Sequence, residues 1–291
     1  MTTMTDSRTK SFQLGLTGYP LSHTLSPAIH AAALQACGLK GDYSLYPIHM
    51  QDLDGLRDLI SSVRSGSLDG LNVTIPHKQT VVEFLDVLTP VAKAVGAVNT
   101  IYLDGDRLVG DNTDADGFIE DLDRFLGEEN RSTGHSALVI GAGGSARAVV
   151  YALLTAGWDV AVTSRRIEQT QDLAKVFSLD SVMAVEWFQF EPTKFQLIVN
   201  TTPLGMLPDV AQSPWPEEVA YPPDAVVYDL VYNPRITKLV RDAEAHGLAA
   251  TTGIGMLIEQ GALAFEKWTG CRPPRDVLWE AVNQPLKDQP G

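Results

Sequence analysis

Hydrophobic and polar positions along this chain of 291 residues switch repeatedly between a period of two and a period near 3.6. Residues 12–17 read as a strand that runs into a loop. Ser26 is then placed to cap a helix with Pro27 at its first position and Gly38 marking its end. A second strand is expected over 43–48. The spacing of Leu53, Leu56, Leu59, Ile60 and Val63 predicts a helix, and 71–75 is strand-like before Pro76, where a further helix is expected to open. Segments 98–103 and 107–110 flank Asp104 and Gly105, a hairpin turn signal. The first part of the chain thus reads as βαβα followed by an antiparallel hairpin, on a mostly parallel sheet. A helix over 114–126 would carry the chain away from that sheet.

A second α/β half begins near Ser136. The stretch LVIGAGGSAR at 138–147 is a strand, a glycine-rich turn and a helix start, and VAVTSRR at 160–166 is a second strand ending in two arginines. Gly141 permits the tight turn, Gly143 lets backbone approach a pyrophosphate, and Ala146 takes the third small position, where helix and sheet pack closely. With Ala142, Gly144 and Ser145, they present a helix N-terminus to the phosphates. A site for NAD usually carries Asp or Glu about 20 residues onward. Here Ser164, Arg165 and Arg166 stand at the strand end, which suits the 2′-phosphate of NADP. Strands at 197–200 and 225–229 and a helix over 237–246, closed by Gly247, complete a doubly wound sheet. Residues 208–223, rich in proline and acid, read as a long surface loop. The C-terminal stretch is helical; 256–268 is apolar around Gln260 and is expected to return to the first domain. The expected fold is therefore α/β with two domains: 1–115 plus 253–291, mostly parallel α/β, and 116–252, a Rossmann-like dinucleotide-binding domain.

Composition narrows the partners. A formal charge of −14 disfavours nucleic acid and anionic membrane, so any bound anion needs a local positive pocket. Segment 1–11 lacks the apolar core of a signal peptide, and no later run is long enough to span a bilayer. Cys37 and Cys271 have no metal-ligand or CxxC spacing, so a disulfide framework is not expected and a reducing cytoplasm is.

The segment NVTIPHK at 72–78 leaves a strand at a proline, so Asn72 and Thr74 point the same way and Lys78 sits just beyond, near the loop mouth. Hydroxyls at Thr24 and Ser26, amides at Asn72, Asn99 and Gln260, and one lysine suit a small polyhydroxylated anion, because each buried ligand hydroxyl needs a partner. Each also has a plainer role: Ser26 as helix cap, Thr74 and Asn99 as strand residues, Lys78 as a solvated charge. Asp114 lies in an acidic run before a helix. It would serve either as a helix-start acid or as the carboxylate that orients Lys78 during proton transfer.

Together these stretches resemble the shikimate dehydrogenases. The matching landmarks are GYPLSHTLSP at 18–27, NVTIPHK at 72–78, GAVNT at 96–100, GDNTD at 110–114, GAGGSAR at 141–147, NTTPLGM at 200–206 and GIGM at 253–256, in the family's order. The resemblance implies reversible NADPH-dependent reduction of 3-dehydroshikimate to shikimate in aromatic biosynthesis, by a cytoplasmic monomer or homodimer without metal. It makes Lys78 the catalytic lysine and Asp114 its partner. Thr24, Ser26, Asn72, Thr74, Asn99, Gln260 and Tyr232 would hold substrate, and Thr201, Gly253 and Met256 would join the cofactor residues. The chain departs from the family pattern at Thr24, usually serine, and at Arg166, an extra charge after the family arginine; Gln169 stands where a second basic residue often lies. A dual-specificity quinate/shikimate dehydrogenase is the alternative enzyme, but it would commonly carry an acid where Ser164 and Arg165 stand. A non-catalytic dinucleotide-binding regulator would be expected to lack Lys78 or Asp114.

Overall fold

In the computed structural model, the described residues are 10–22, 24–127, 135–177, 181–187, 191 and 194–283. The polar segment at 1–9, His23 of the first landmark and the terminus from 284 lie outside them. The chain forms two compact units: Met1–Lys93, Ala97–Thr113 and Ile258–Gly291 make the first, Ala94–Gly96 and Asp114–Leu257 the second.

The first unit opens with β1 (Ser11–Gly18), α1 (Ser26–Ala36), β2 (Lys40–Pro47), α2 (Leu53–Arg64) and β3 (Gly70–Val73). β1 lies between β2 and β3, parallel to both. After a 3-10 helix at Thr80–Phe84 come β4 (Val87–Leu88), α3 (Pro90–Val95), β5 (Thr100–Asp104) and β6 (Arg107–Asp111), giving the sheet order β2-β1-β3-β5-β6-β4. β5 is antiparallel to β3 and β6, as the hairpin signal predicts. The apolar stripe of α2 is buried as its spacing requires: Leu56, Leu59, Ile60 and Val63 join Leu71, Val73 and Ile101 in one core cluster. Its first turn is fixed by Asp52, whose carboxylate accepts from the Gly55 N–H at 2.9 Å.

Two C-terminal helices, α8 (Ile254–Thr269) and α9 (Arg275–Asn283), complete this unit, although α8 begins in the second. Gly70 is where α8 docks: a Cβ there would lie 2.4 Å from the Trp268 indole, whose Nε1 donates to the Ile101 carbonyl at 3.1 Å. Glu259, 3% exposed, pairs with Arg275 and fixes α8 to the start of α9.

In the second unit α4 (Thr113–Leu126) is followed by β7 (Ser136–Ile140), α5 (Gly144–Thr155), β8 (Asp159–Ser164), α6 (Ile167–Val176), β9 (Val182–Glu186), β10 (Leu197–Asn200), β11 (Val226–Asp229), α7 (Lys238–Ala245) and β12 (Ala249–Thr252). All strand pairs are parallel, in the order β9-β8-β7-β10-β11-β12. Numbered within the unit, that is the 3-2-1-4-5-6 order of a Rossmann sheet. Its reversal between β7 and β10 opens a ligand crevice at the strands' C-terminal ends.

Three expectations are corrected, and the surface loop over 208–223 is refined. Ser26 does not cap α1: the N-cap is Leu25, with no side-chain cap bond. Instead the Thr24 hydroxyl accepts from the Ser26 N–H at 3.2 Å. β3 stops at Val73, and the chain turns through Pro76 and Lys78 before the 3-10 helix rather than opening an α-helix. The loop over 208–223 is anchored, because Trp215 is 4% exposed in the core, stacks on Tyr221 and donates to the Val219 carbonyl. Finally, Cys37 and Cys271 form a disulfide. Spacing could not show it: the partners are 234 positions apart and meet because α9 returns to pack on α1.

Candidate functional site

In the first unit, the residues with polyhydroxyl-binding chemistry gather where β1 and β3 end and α1 begins. Thr24 and Ser26 form a hydroxyl pair, Oγ1 to Oγ 3.1 Å. Ser26 is not spent on capping; its Oγ accepts from the Thr24 hydroxyl, which leaves its own O–H free to donate. Asn72 on β3 and Asn99 just before β5 are 5% and 2% exposed, so their amides need partners. Asn72 Nδ2 donates to the Asn99 carbonyl at 3.1 Å and to Thr100 Oγ1 at 3.3 Å. Asn99 Oδ1 accepts from the Thr113 N–H at 2.8 Å, while its Nδ2 donates to Thr113 Oγ1 at 3.0 Å and to Gln260 Oε1 at 3.3 Å. Three amides singled out from sequence thus form one connected network. Thr100 and Thr113 were missed; both lie inside the landmark stretches, as ordinary-looking strand and helix-start residues.

Thr74 follows β3, its N–H bonded to the Thr17 carbonyl at 2.8 Å, with the bare Cα of Gly18 leaving room for its methyl. Lys78 is half-buried in the turn, which is tied down by the Val98 N–H donating to the Lys78 carbonyl at 2.7 Å. His30 on α1 is enclosed at 1% exposure, and burial pushes its pKa down to about 3, against the favourable Asn72 side chain. The ring is neutral at physiological pH.

In the second unit, the turn 141–144 leaves β7 at the sheet's reversal point. Gly141 has φ +123°, and a Cβ there would lie 2.2 Å from Thr201 Oγ1, which donates to the Ile140 carbonyl at 2.8 Å. Gly143 is exposed and is the N-cap of α5 without a side-chain cap bond, so the first N–H groups of that helix lack a side-chain acceptor. Ala146 is fully buried against the sheet, whereas Ala142, Gly144 and Ser145 are partly exposed along the turn. Ser164 at the end of β8 bonds the Arg166 carbonyl and Thr170 Oγ1, both at 2.8 Å, and so shapes the turn that presents two exposed arginines. Among the described residues no acid pairs with Arg165 or Arg166. An uncapped helix start, an open glycine and two unpaired guanidiniums fit a phosphorylated dinucleotide.

Asp229, at the end of β11, is fully buried and accepts from Asn200 Nδ2 (2.7 Å), Thr237 Oγ1 (2.6 Å) and the Val231 N–H (3.0 Å). Desolvation outweighs these bonds and raises its pKa to about 6. This knot ties together the loops after β10 and β11, the second of which carries half-buried Tyr232. Asp114 is 5% exposed in the first turn of α4; Met256 is 7% exposed in the first turn of α8. Gly253 is pressed against the Leu230 carbonyl, 2.3 Å from where its Cβ would stand. Among the described residues, no group of three or more His, Cys, Asp or Glu is arranged to hold a metal ion.

Fold and site define a two-domain α/β protein whose second unit is a Rossmann-type dinucleotide domain. Residues 16–101 match the family model for the shikimate dehydrogenase substrate-binding domain, and 253–282 that for the shikimate 5'-dehydrogenase C-terminal domain. Shikimate dehydrogenase (NADP(+)) of Shouchella clausii is 40% identical over 276 residues, 94% of this chain and 98% of that one. The structure of shikimate 5-dehydrogenase from Thermus thermophilus in complex with NADP(H) and shikimate superposes with TM-score 0.82 at 38% identity, covering 93% of this chain and 98% of that one. Quinate dehydrogenase from Corynebacterium glutamicum in complex with NAD shares the fold at 31% identity and TM-score 0.83, covering 94% and 98%. The chain belongs to the shikimate dehydrogenase family.

Proposed function

We propose that this protein is an NADP-dependent shikimate dehydrogenase that interconverts 3-dehydroshikimate and shikimate in aromatic biosynthesis. The observation that carries the reading is the full-length kinship, at 40% identity, with a shikimate dehydrogenase (NADP(+)). The geometry supports a division of labour. In the first unit, Thr24 and Ser26 receive the substrate carboxylate. Asn72, Thr74, Asn99 and Gln260 bind the ring hydroxyls, a task for which a pre-bonded amide network is suited because its orientation is fixed before the ligand arrives. Tyr232 contributes from the second unit. The dinucleotide is held by the turn 141–146, by Arg165 and Arg166 at its 2′-phosphate end, and by Thr201, Gly253 and Met256. When bound, NADPH supplies the hydride for the carbonyl carbon. Charge develops on the carbonyl oxygen, and the Lys78 ammonium delivers a proton there; in the reverse direction the neutral amine takes it back. Asp114 is the carboxylate assigned to orient that ammonium.

Among the described residues, no helix is long and apolar enough to cross a membrane. Action on small molecules rather than nucleic acid or lipid, by a monomer or homodimer, accords with the acidic composition, whereas the Cys37–Cys271 disulfide withdraws the cysteine argument for a reducing cytoplasm. Initial rates with shikimate and quinate, each against NADP and NAD, test the assignment. Shikimate with NADP should dominate, and comparable kcat/KM for quinate would move the protein to the dual-substrate class. Lys78→Met should lower kcat at least about 100-fold with NADPH affinity unchanged. Near-normal turnover with only weaker shikimate binding would remove Lys78 from proton transfer.

A further inference from the structure

Asn72 is a buried amide whose orientation decides what it can recognise. Its two N–H bonds are used within the protein, toward the Asn99 carbonyl and Thr100 Oγ1. Its oxygen accepts from the Tyr43 hydroxyl at 2.8 Å, and the same side chain lies within hydrogen-bonding reach of the His30 ring. A flipped amide would set its oxygen against the Asn99 carbonyl, two acceptors face to face, and would turn a donor toward the substrate.

Tyr43 projects from β2, beyond β1 from β3, and is itself supported. The His30 ring of α1 stacks on the Tyr43 ring at 4.2 Å between centroids and 7° between planes. Trp268 and Phe265 of α8 close in behind it, their centroids 5.3 and 6.1 Å from the imidazole. His30 Nδ1 is buried without a hydrogen-bond partner, and the ring's lowered pKa keeps it an uncharged aromatic surface. An unsatisfied buried nitrogen costs stability. Its retention is accounted for if the flat face is what matters.

We propose that Tyr43, seated on His30, is a positioning residue: it locks the Asn72 amide with its oxygen toward the ligand, so that Asn72 accepts a hydrogen bond from a substrate hydroxyl. This rests on the reading of the first unit as the shikimate site. Neither residue touches the reacting atoms, and both act through Asn72.

The test is a kinetic double-mutant cycle with shikimate and NADP. Tyr43→Phe keeps the ring and its stack but deletes the hydroxyl. It should raise KM for shikimate roughly tenfold, the scale of one lost hydrogen bond to a fixed partner, with kcat within about threefold and NADPH affinity unchanged. In an Asn72→Ala background the same substitution should change KM by less than about twofold, because the group it orients is gone. His30→Phe preserves a flat face under Tyr43 but deletes the ring nitrogens that interact with Asn72, so it should raise KM by less than Tyr43→Phe does. Three results overturn the proposal: unchanged KM in Tyr43→Phe, an equal KM increase in both backgrounds, or a His30→Phe variant that loses shikimate affinity as Tyr43→Phe does. If the unmodified protein fails to oxidise shikimate at all, the functional reading falls first and this one with it.

Discussion

Gly143 separates two reasons for a glycine in a phosphate-binding turn, and replacing it by alanine tests which applies. Its backbone, at φ −84° and ψ −171°, is open to any L residue. A Cβ built there meets no atom within 4 Å. Folding therefore gives no reason for glycine, and Gly143→Ala should leave stability within about 0.5 kcal/mol of wild type. The cost should fall on the ligand. A methyl placed between the uncapped start of α5 and a pyrophosphate overpacks the contact, for about 1–3 kcal/mol, or roughly 5- to 150-fold in the Kd for NADPH. Gly141→Ala is the control: φ +123° and a Cβ 2.2 Å from Thr201 Oγ1 predict that it loses stability as well as affinity. Thermal melts of the ligand-free variants and fluorescence titration with NADPH measure both quantities. Wild-type NADPH affinity in a normally folded Gly143→Ala protein would refute the placement of the pyrophosphate at this turn.

Arg165→Ala should weaken NADPH by about 1.5–3 kcal/mol, the range for hydrogen bonds to charged groups, while NADH binding stays unchanged; equal losses for both would sink the 2′-phosphate assignment. Breaking the Cys37–Cys271 disulfide, by reductant or by Cys37→Ser, should lower stability, since it closes a loop of 234 positions. Chain entropy puts the upper figure at about 5 kcal/mol for a loop of that size. Equal melting temperatures for forms verified by mass as oxidised and reduced would contradict it. Asp229 sets a pH dependence: its native carboxyl keeps its proton to about pH 6 while the unfolded one releases it near 3.8, so the native state binds more protons in that window. Stability from this group falls as pH rises from 4 to 6, by about 3 kcal/mol at 1.36 kcal/mol per unit. His30, lowered to about 3, acts oppositely between pH 3 and 6.5, so the readout is the difference between wild type and Asp229→Asn. An unchanged pH profile in the variant would remove Asp229 as its cause.

Local chemistry made much of this legible. The glycine turn, the arginines after β8, the hairpin at Asp104 and Gly105 and the apolar stripe of α2 are each written within a few consecutive turns of chain, where sterics and periodicity act directly. β4, β9, β12, α3 and α6 were not read. β4 has two residues, and β9 and β12 are held as much by their parallel neighbours as by their own pattern. Ser26 showed a good capping residue, yet Thr24 took over the nearby N–H once the loop had closed.

By itself the sequence determined the two-domain α/β class, the dinucleotide turn and the residue types of the site, because backbone conformation and phosphate chemistry are local. Tertiary structure alone decided which amides share hydrogen bonds, that Asn72 answers to Tyr43 and His30, that Glu259 rather than Gln260 is the enclosed polar group of α8, and that two distant cysteines meet. Those relations cross between strands and helices far apart in the chain. They depend on how α1, α8 and α9 pack, and burial then dictates which polar atoms must find one another.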